Sequence, residues 1–206
     1  MKVLVMSDLH LVVPGQLSHS INTTARLDQA VAHINEFHSD AAFCILAGDL
    51  TDFGDAASYA RLADHIAPLG MPVHMTLGNH DDRAAFAAQF GADKLANTGF
   101  SDAIIDDPSG YRVIILDTLI ADTDVGDLAP EQLQFLQSAL DTAHDRPVII
   151  VMHQNPAALG VPMDFIRFGN ADDFAAIAGS HPDGRRSSLG TCTNPPLAAF
   201  VACPSR

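Results

Sequence analysis

The sequence predicts an α/β fold with mainly parallel strands, and two observations predict it. Short apolar runs alternate with longer segments whose apolar residues recur at helical spacing, in the order β-α-β-α-β over the first 90 residues. Each apolar run also ends in a loop that carries Asp, Asn or His. Open α/β sheets gather such loops at the carboxyl edge of the strands, so residues far apart in the chain converge there.

Strand one is expected at about 2–7, followed by a loop that carries Asp8 and His10 and runs through Pro14-Gly15 to Asn22. Helix one spans about 23–38, with Leu27, Val31, Ile34 and either Phe37 or His38 on one face. Strand two, 42–47, leads into Gly48-Asp49-Leu50-Thr51-Asp52-Phe53-Gly54. Helix two, about 55–67, stops at Pro68 and Gly70. Strand three, 72–76, leads into Leu77-Gly78-Asn79-His80-Asp81, and a helix from 83 to about 90 follows. The pattern then changes. Segments 103–106 and 111–117 flank Pro108-Ser109-Gly110 and read as a hairpin. Helix 130–143 opens on Pro130 and buries Leu133, Leu136 and Leu140. Strand 147–152 ends at His153, and a Pro- and Gly-rich loop runs from Gln154 to Gly169. The last helix, about 170–179, is capped by Asn170, with Asp172 and Asp173 in its first turn. After His181 no strand or helix period is visible, and no element is predicted there.

The 206 residues are 48% hydrophobic and only 17% charged, which fits one globular domain with its own core and excludes a disordered chain. A net charge of −14 argues against a protein that coats nucleic acid. It does not argue against a phosphate substrate, because bound dications reverse the local field. The first strand starts at once after Lys2, which leaves no room for a signal peptide, and no apolar run reaches transmembrane length. Cys44, Cys192 and Cys203 lack metal-finger spacing, and Cys44 is expected in the core. A reducing, cytoplasmic setting follows.

Asp8, His10, Asp49, Asn79 and His153 are two carboxylates, two imidazoles and one amide. Such ligands, without thiolate, suit Mn, Fe, Zn or Co. Five are many for one ion with an open position; they fit two divalent ions sharing a carboxylate, about 3.5–4 Å apart. Such a pair clamps a phosphoryl group and lowers the pKa of bound water to about 7, which makes hydroxide at neutral pH. His80, beside a ligand, is placed to serve the leaving-group oxygen as an acid or electrostatic stabiliser. Asp81 can hold an imidazole in one orientation. Asp52 and Asp124 are expected to be solvated or capping, and Arg83 to cap a helix or pair with an Asp.

The combination of D-x-H at Asp8 to His10, G-D at Gly48-Asp49, G-N-H-D at Gly78 to Asp81 and a late His after a strand resembles the calcineurin-like metallophosphoesterases. Met6 to Leu11, Ala47 to Gly54, Gly78 to Arg83 and Met152-His153-Gln154-Asn155-Pro156 are most similar to the class III cyclic-nucleotide phosphodiesterases and the related glycerophosphodiesterases, as are Met163-Asp164 and Asn170. The resemblance covers Met1 to about Pro182. It implies a four-layer α/β/β/α sandwich over 1–182, incomplete at the C-terminus, with an atypical tail over 183–206. It implies Asp8 and His10 on one metal, Asp49 bridging, and Asn79 and His153 on the other. His80, steadied by Asp81, would be the proton donor, and Asn79 and His80 would face the substrate phosphate. The implied activity is hydrolysis of cyclic nucleotides or glycerophosphodiesters by metal-bound hydroxide. The implied partners are a small phosphodiester and, among those left open, a second copy of the chain, with no membrane and no nucleic acid coat.

One family motif, G-H-x-H, is absent. It should complete both metal shells after a short apolar strand downstream of His153, and His181 is the only later histidine. The codons of Gly190-Thr191-Cys192-Thr193, GGN-ACN-TGY-ACN, can spell Gly-His-Val-His when read one base earlier. The hypothesis is that the residues from about Gly184 onward are a frameshifted C-terminus. Coding DNA that lacks CACGTGCAC or a synonym there would exclude it. On the alternative reading that follows, the chain is a truncated relative, weakly active or inactive, that only binds metal or nucleotide.

Overall fold

The computed structural model describes residues 1–157, 165–166 and 168–180, together with the backbone of 186–189 and 200–202. In chain order the elements are β1 (Val3–Met6), α1 (Thr23–Phe37), β2 (Phe43–Ala47), α2 (Ala56–Ile66), β3 (Val73–Thr76), α3 (Arg83–Phe90), β4 (Ala103–Asp106), β5 (Arg112–Ile115), α4 (Pro130–Asp141), β6 (Val148–Val151), α5 (Ala171–Gly179), β7 (Arg186–Leu189) and β8 (Phe200–Ala202). Each element before β7 lies within a residue or two of its expected place, except that β5 is shorter. The chain folds as the expected mixed α/β sandwich of two sheets.

The first sheet has the order β3-β2-β1-β8 and the second β4-β5-β6-β7. Strands β1, β2 and β3 are parallel, and Met6 pairs with Leu46 as Ala47 pairs with Thr76, so their three loops leave one edge together. In the second sheet β5, β6 and β7 are parallel and β4 runs antiparallel to β5, as a hairpin requires.

Three apolar layers hold the sheets and helices together. Leu27, Val31, Ile34 and Leu62 close the outer face of the first sheet over Leu4, Cys44 and Leu46. Val3, Val5, Phe43 and Ile45 meet Val113, Ile115 and Val151 between the sheets. Leu136, Leu140 and Phe174 cover Ile114, Val148 and Ile150 on the far side. Each buried Leu, Ile or Val adds about 1.5–3 kcal/mol. Cys44 behaves as expected: it is a free thiol in the core, pushed up to about 12 by burial.

The helix starts follow from side chains that accept the first free amides. Asn22 accepts from Ala25 N at 3.0 Å, Asp55 from Ser58 N at 2.9 Å and Asp82 from Ala85 N at 2.7 Å. Asn170 departs from expectation. It occupies the cap position of α5 but makes no side-chain cap bond. Its amide instead clamps Leu128, donating to the carbonyl at 2.8 Å and accepting from the N–H at 3.2 Å.

The tail also departs. Strand β7 extends the second sheet beside β6, and β8 pairs antiparallel with β1. A sheet edge offers a row of unpaired N–H and C=O groups, and extended chain can fill it without any apolar alternation to announce it. Met163, Asp164, His181, Cys192, Cys203 and the residues 190–193 read as the altered motif lie outside the described residues.

Candidate metal centre

The loops after β1 and β2 run side by side. Asp8 N donates to Gly48 O at 3.2 Å, His10 N to Asp49 O at 2.9 Å and Asp52 N to Leu11 O at 3.0 Å. This pairing holds Asp8, His10 and Asp49 at φ of 56°, 44° and 48°, in the left-handed region. Each such residue costs of order 1 kcal/mol, and strain of this kind concentrates at functional sites. Two glycines permit close approach. A Cβ on Gly48 would lie 2.6 Å from the His153 ring, and one on Gly78 would lie 2.8 Å from His153 Cδ2.

Asp49 is the hub. Its Oδ1 accepts from His80 N at 3.0 Å. Its Oδ2 stands 3.3 Å from His153 Nε2 and 3.5 Å from His10 Nε2. Two sets of side chains share it: Asp8, Asp49 and His153, and His10, Asp49 and His80, with the donor atoms of each set within 4.8 Å of one another.

All three imidazoles have their Nδ1 committed. His153 Nδ1 meets Ala47 O at 3.0 Å, His80 Nδ1 meets Asp52 O at 2.9 Å, and His10 Nδ1 meets Asp52 Oδ1 at 3.0 Å. Carbonyls and carboxylates only accept, so each Nδ1 donates; His10 and His153 turn Nε2 to Asp49 Oδ2, where a cation can take the place of a proton, and His80 Nε2 can carry a proton when the ring is an imidazolium. This donor chemistry fits hard-to-borderline divalent ions.

The electrostatics agree with a site built for positive charge. Burial alone would raise the Asp49 carboxyl, but the imidazoles of His153, His80 and His10 outweigh it and hold the group well below the usual range. Burial would lower His153, but Asp49, and behind it Asp8, hold its proton on. His10 is lowered, because burial there exceeds the pull of Asp49. A cation entering the site takes the place of a proton.

Of the expected residues, Asp8, His10, His80 and His153 are grouped around Asp49. The resemblance paired Asp8 with His10; the structure groups Asp8 with His153 and His10 with His80. His80 is half-exposed, its ring 4.7 Å from that of His10. Asn79 reaches across to Gln154 and Asp124, at 3.4 Å each. His19 stands at the rim, its ring 5.9 Å from that of His10.

Asp81 is a correction. Its carboxylate does not touch His80. It accepts from Gly78 N at 2.9 Å, Leu50 N at 3.0 Å, Thr51 N at 3.1 Å and Tyr59 OH at 2.9 Å, and so sews the β2 and β3 loops together. Burial, then the charge of Asp49, push it up to about 6 against those amide bonds. Asp52, read from sequence as solvated or capping, does the orienting instead: its carboxylate holds His10 and its carbonyl holds His80. The available signal was its spacing, three residues after Asp49 on one tight loop. Gln154 was also missed as an individual residue, and nothing but its place after His153 marked it. Arg83 does pair with an Asp. It grips Asp117 at 2.7 and 3.0 Å and donates to Leu119 O.

Comparison with known proteins adds three findings. The family model for calcineurin-like phosphoesterase matches residues 1–181. A probable cyclic nucleotide phosphodiesterase of Rhodopseudomonas palustris is 37% identical over 84% of this chain and 64% of its own. A probable glycerophosphodiester phosphodiesterase of Arcobacter nitrofigilis is 27% identical over 78% of this chain and 59% of its own. The chain therefore spans somewhat less than two thirds of either relative's length. Among solved structures, a purple acid phosphatase from yellow lupin seeds superposes with a TM-score of 0.54 at 15% identity, over 89% of this chain and 34% of that one, a likeness of fold.

Proposed function

Because the chain belongs to the calcineurin-like phosphoesterase family, we propose that it is a metal-dependent phosphodiesterase acting on cyclic nucleotides or glycerophosphodiesters. The family uses divalent metals. The observation that carries the reading is Asp49 Oδ2 lying between two imidazole Nε2 atoms whose Nδ1 atoms are already spent. We assign Asp49 as the shared ligand of two divalent ions of the Mn, Fe, Zn or Co type, with Asp8, His10, Asn79 and His153 as the others. When bound, such a pair supplies Lewis acidity to the phosphoryl oxygens and acidifies water.

The chain's own residues would do the rest. Asn79 and His80 would hold the phosphate. The oxygen of a water that has lost one proton to solvent would bond to phosphorus as the bond to the leaving oxygen breaks. His80 Nε2 would give its proton to that oxygen, while Nδ1 stays on the Asp52 carbonyl and fixes the ring. Asp81 would support this indirectly, through the loop that carries His80. We take 1–182 as the unit that carries the site and 183–206 as an atypical tail that lends β7 and β8 to the two sheets, in a reducing cytoplasmic setting, with self-association left open. Among the described residues no helix is long and apolar enough to cross a membrane.

A second reading rests on one observation: Gly190-Thr191-Cys192-Thr193 stands where the resemblance puts two histidines. On that reading the chain binds metal or nucleotide without turnover. Hydrolysis of bis(p-nitrophenyl) phosphate with added Mn²⁺ separates the two. Turnover that falls about 10²–10⁴-fold in His80→Ala supports the enzyme. Turnover no faster than that of His80→Ala supports the remnant.

A further inference from the structure

Asn79 is useful to a cation only through Oδ1, because an amide nitrogen has no lone pair to give. Which end of the amide points where is set by its neighbours, and here they form a relay with one fixed end. Asp124 is a carboxylate and only accepts. The end of Asn79 that meets it at 3.4 Å must therefore be Nδ2. That turns Oδ1 toward Gln154, also at 3.4 Å, and obliges Gln154 to present Nε2. The remaining atom, Gln154 Oε1, accepts from the Thr118 hydroxyl. One carboxylate thus fixes the polarity of three side chains.

The inner end of the relay is built to hold. Gln154 and Thr118 are buried. Gly126 leaves the space Gln154 occupies: a Cβ there would lie 2.7 Å from Oε1. Gly126 is itself pinned, accepting from Gly169 N at 2.7 Å. The loop of Thr118, Asp124 and Gly126 comes from the second sheet, so the relay ties that half of the molecule to the β3 loop.

We infer that Gln154 is a positioning residue for Asn79, and that Asp124 sets the direction of the relay, so that Oδ1 keeps one lone pair for a cation while the other takes the Gln154 hydrogen. The inference rests on the proposed cation pair at Asp49 and adds to it a coupling between the 118–126 loop and the affinity of the Asn79 ion.

Titration of the purified full chain with Mn²⁺, read by calorimetry and by the EPR of free Mn²⁺, tests it. Gln154→Leu should weaken one of two ions about 10–100-fold, the usual effect of losing a partner behind a ligand. Asp124→Asn, at an exposed position, should weaken the same ion. It should do so more than Asp122→Asn, which removes an equal charge from the same loop without touching the amide. The double variant Asp124→Asn/Gln154→Leu should lose less than the sum, because both act through one amide. Unchanged affinity in a folded Gln154→Leu overturns the inference, as does an Asp124→Asn effect equal to that of Asp122→Asn. The second comparison decides alone if Gln154→Leu does not fold. A parent chain that binds no Mn²⁺ would instead overturn the proposed function.

Discussion

The parallel strands of the two sheets both end in buried carboxylates, and the two carboxylates do opposite work. Asp49, after β2, is 4% exposed; Asp117, after β5, is 0% exposed. Burial does not tell them apart, but their partners do. Asp117 has both oxygens taken by the Arg83 guanidinium and accepts further from Ser101 N and Leu119 N. It is a closed ion pair with every lone pair in use. Asp49 has one oxygen on an amide and the other facing imidazole nitrogens that a cation can claim. A structural carboxylate is satisfied by the fold, whereas a ligand carboxylate is left facing groups whose charge a metal can replace.

The comparison can be broken most sharply at Arg83. Arg83→Ala should destabilise the chain by about 3–5 kcal/mol, because it strands a buried charge on Asp117. It also removes the guanidinium that stacks 4.9 Å from the Phe100 ring centre. Urea unfolding of the metal-free chain measures this. Asp49→Asn, by contrast, should cost less metal-free stability at pH 7 than Arg83→Ala, because Asn still accepts from His80 N and the His153 left without its carboxylate can shed its proton. Equal losses in the two variants would erase the distinction.

A pH experiment sharpens it next. Asp102 accepts from Asp117 N and Gln132 Nε2 at 2.9 Å each, yet burial, and Asp117 beside it, push it up to about 6. With the folded value above the ordinary 3.8, its contribution to stability is complete below about pH 4 and is lost as pH rises through about 6. Relative to the parent, Asp102→Asn should therefore gain about 2–3 kcal/mol between pH 4 and 7. A constant offset from the altered bond to Gln132 would not change that slope. A flat difference across the range would show that Asp102 is ionised throughout.

The smallest expected effect is at Asp52. Asp52→Ala should weaken Mn²⁺ binding about 10–100-fold by releasing His10 Nδ1, while the carbonyl that holds His80 stays in place. Calorimetric titration reads this. Full retention of affinity would show that the backbone alone orients the His10 ring.

The fold was legible wherever burial forced a pattern. The runs at Val3, Phe43 and Val148 are apolar because both faces of those strands are covered, while β3 is half-buried and keeps His74 and Thr76; the strand ends then located Asp8, Asp49, Asn79 and His153. What stayed hidden were partnerships, because composition does not say which atom a side chain meets. Asp81 and Asp52 are both Asp on neighbouring loops, and sequence gave the orienting role to the one beside His80 in the chain rather than to the one beside it in space. Asn170 is a cap by spacing but a clamp by contact. Strands β7 and β8 were invisible because they complete sheets through backbone groups, which leave no trace in side-chain order.

The account turns on Asp49 holding two ions at once, and a bound Mn²⁺ pair reports that directly. With Mn²⁺ loaded at pH 7, metal analysis should count two ions per chain, and low-temperature EPR should show a spin-coupled pair. Asp49→Asn should abolish the coupling. Two uncoupled Mn²⁺ signals in the parent, or a coupled pair that survives Asp49→Asn, would contradict it.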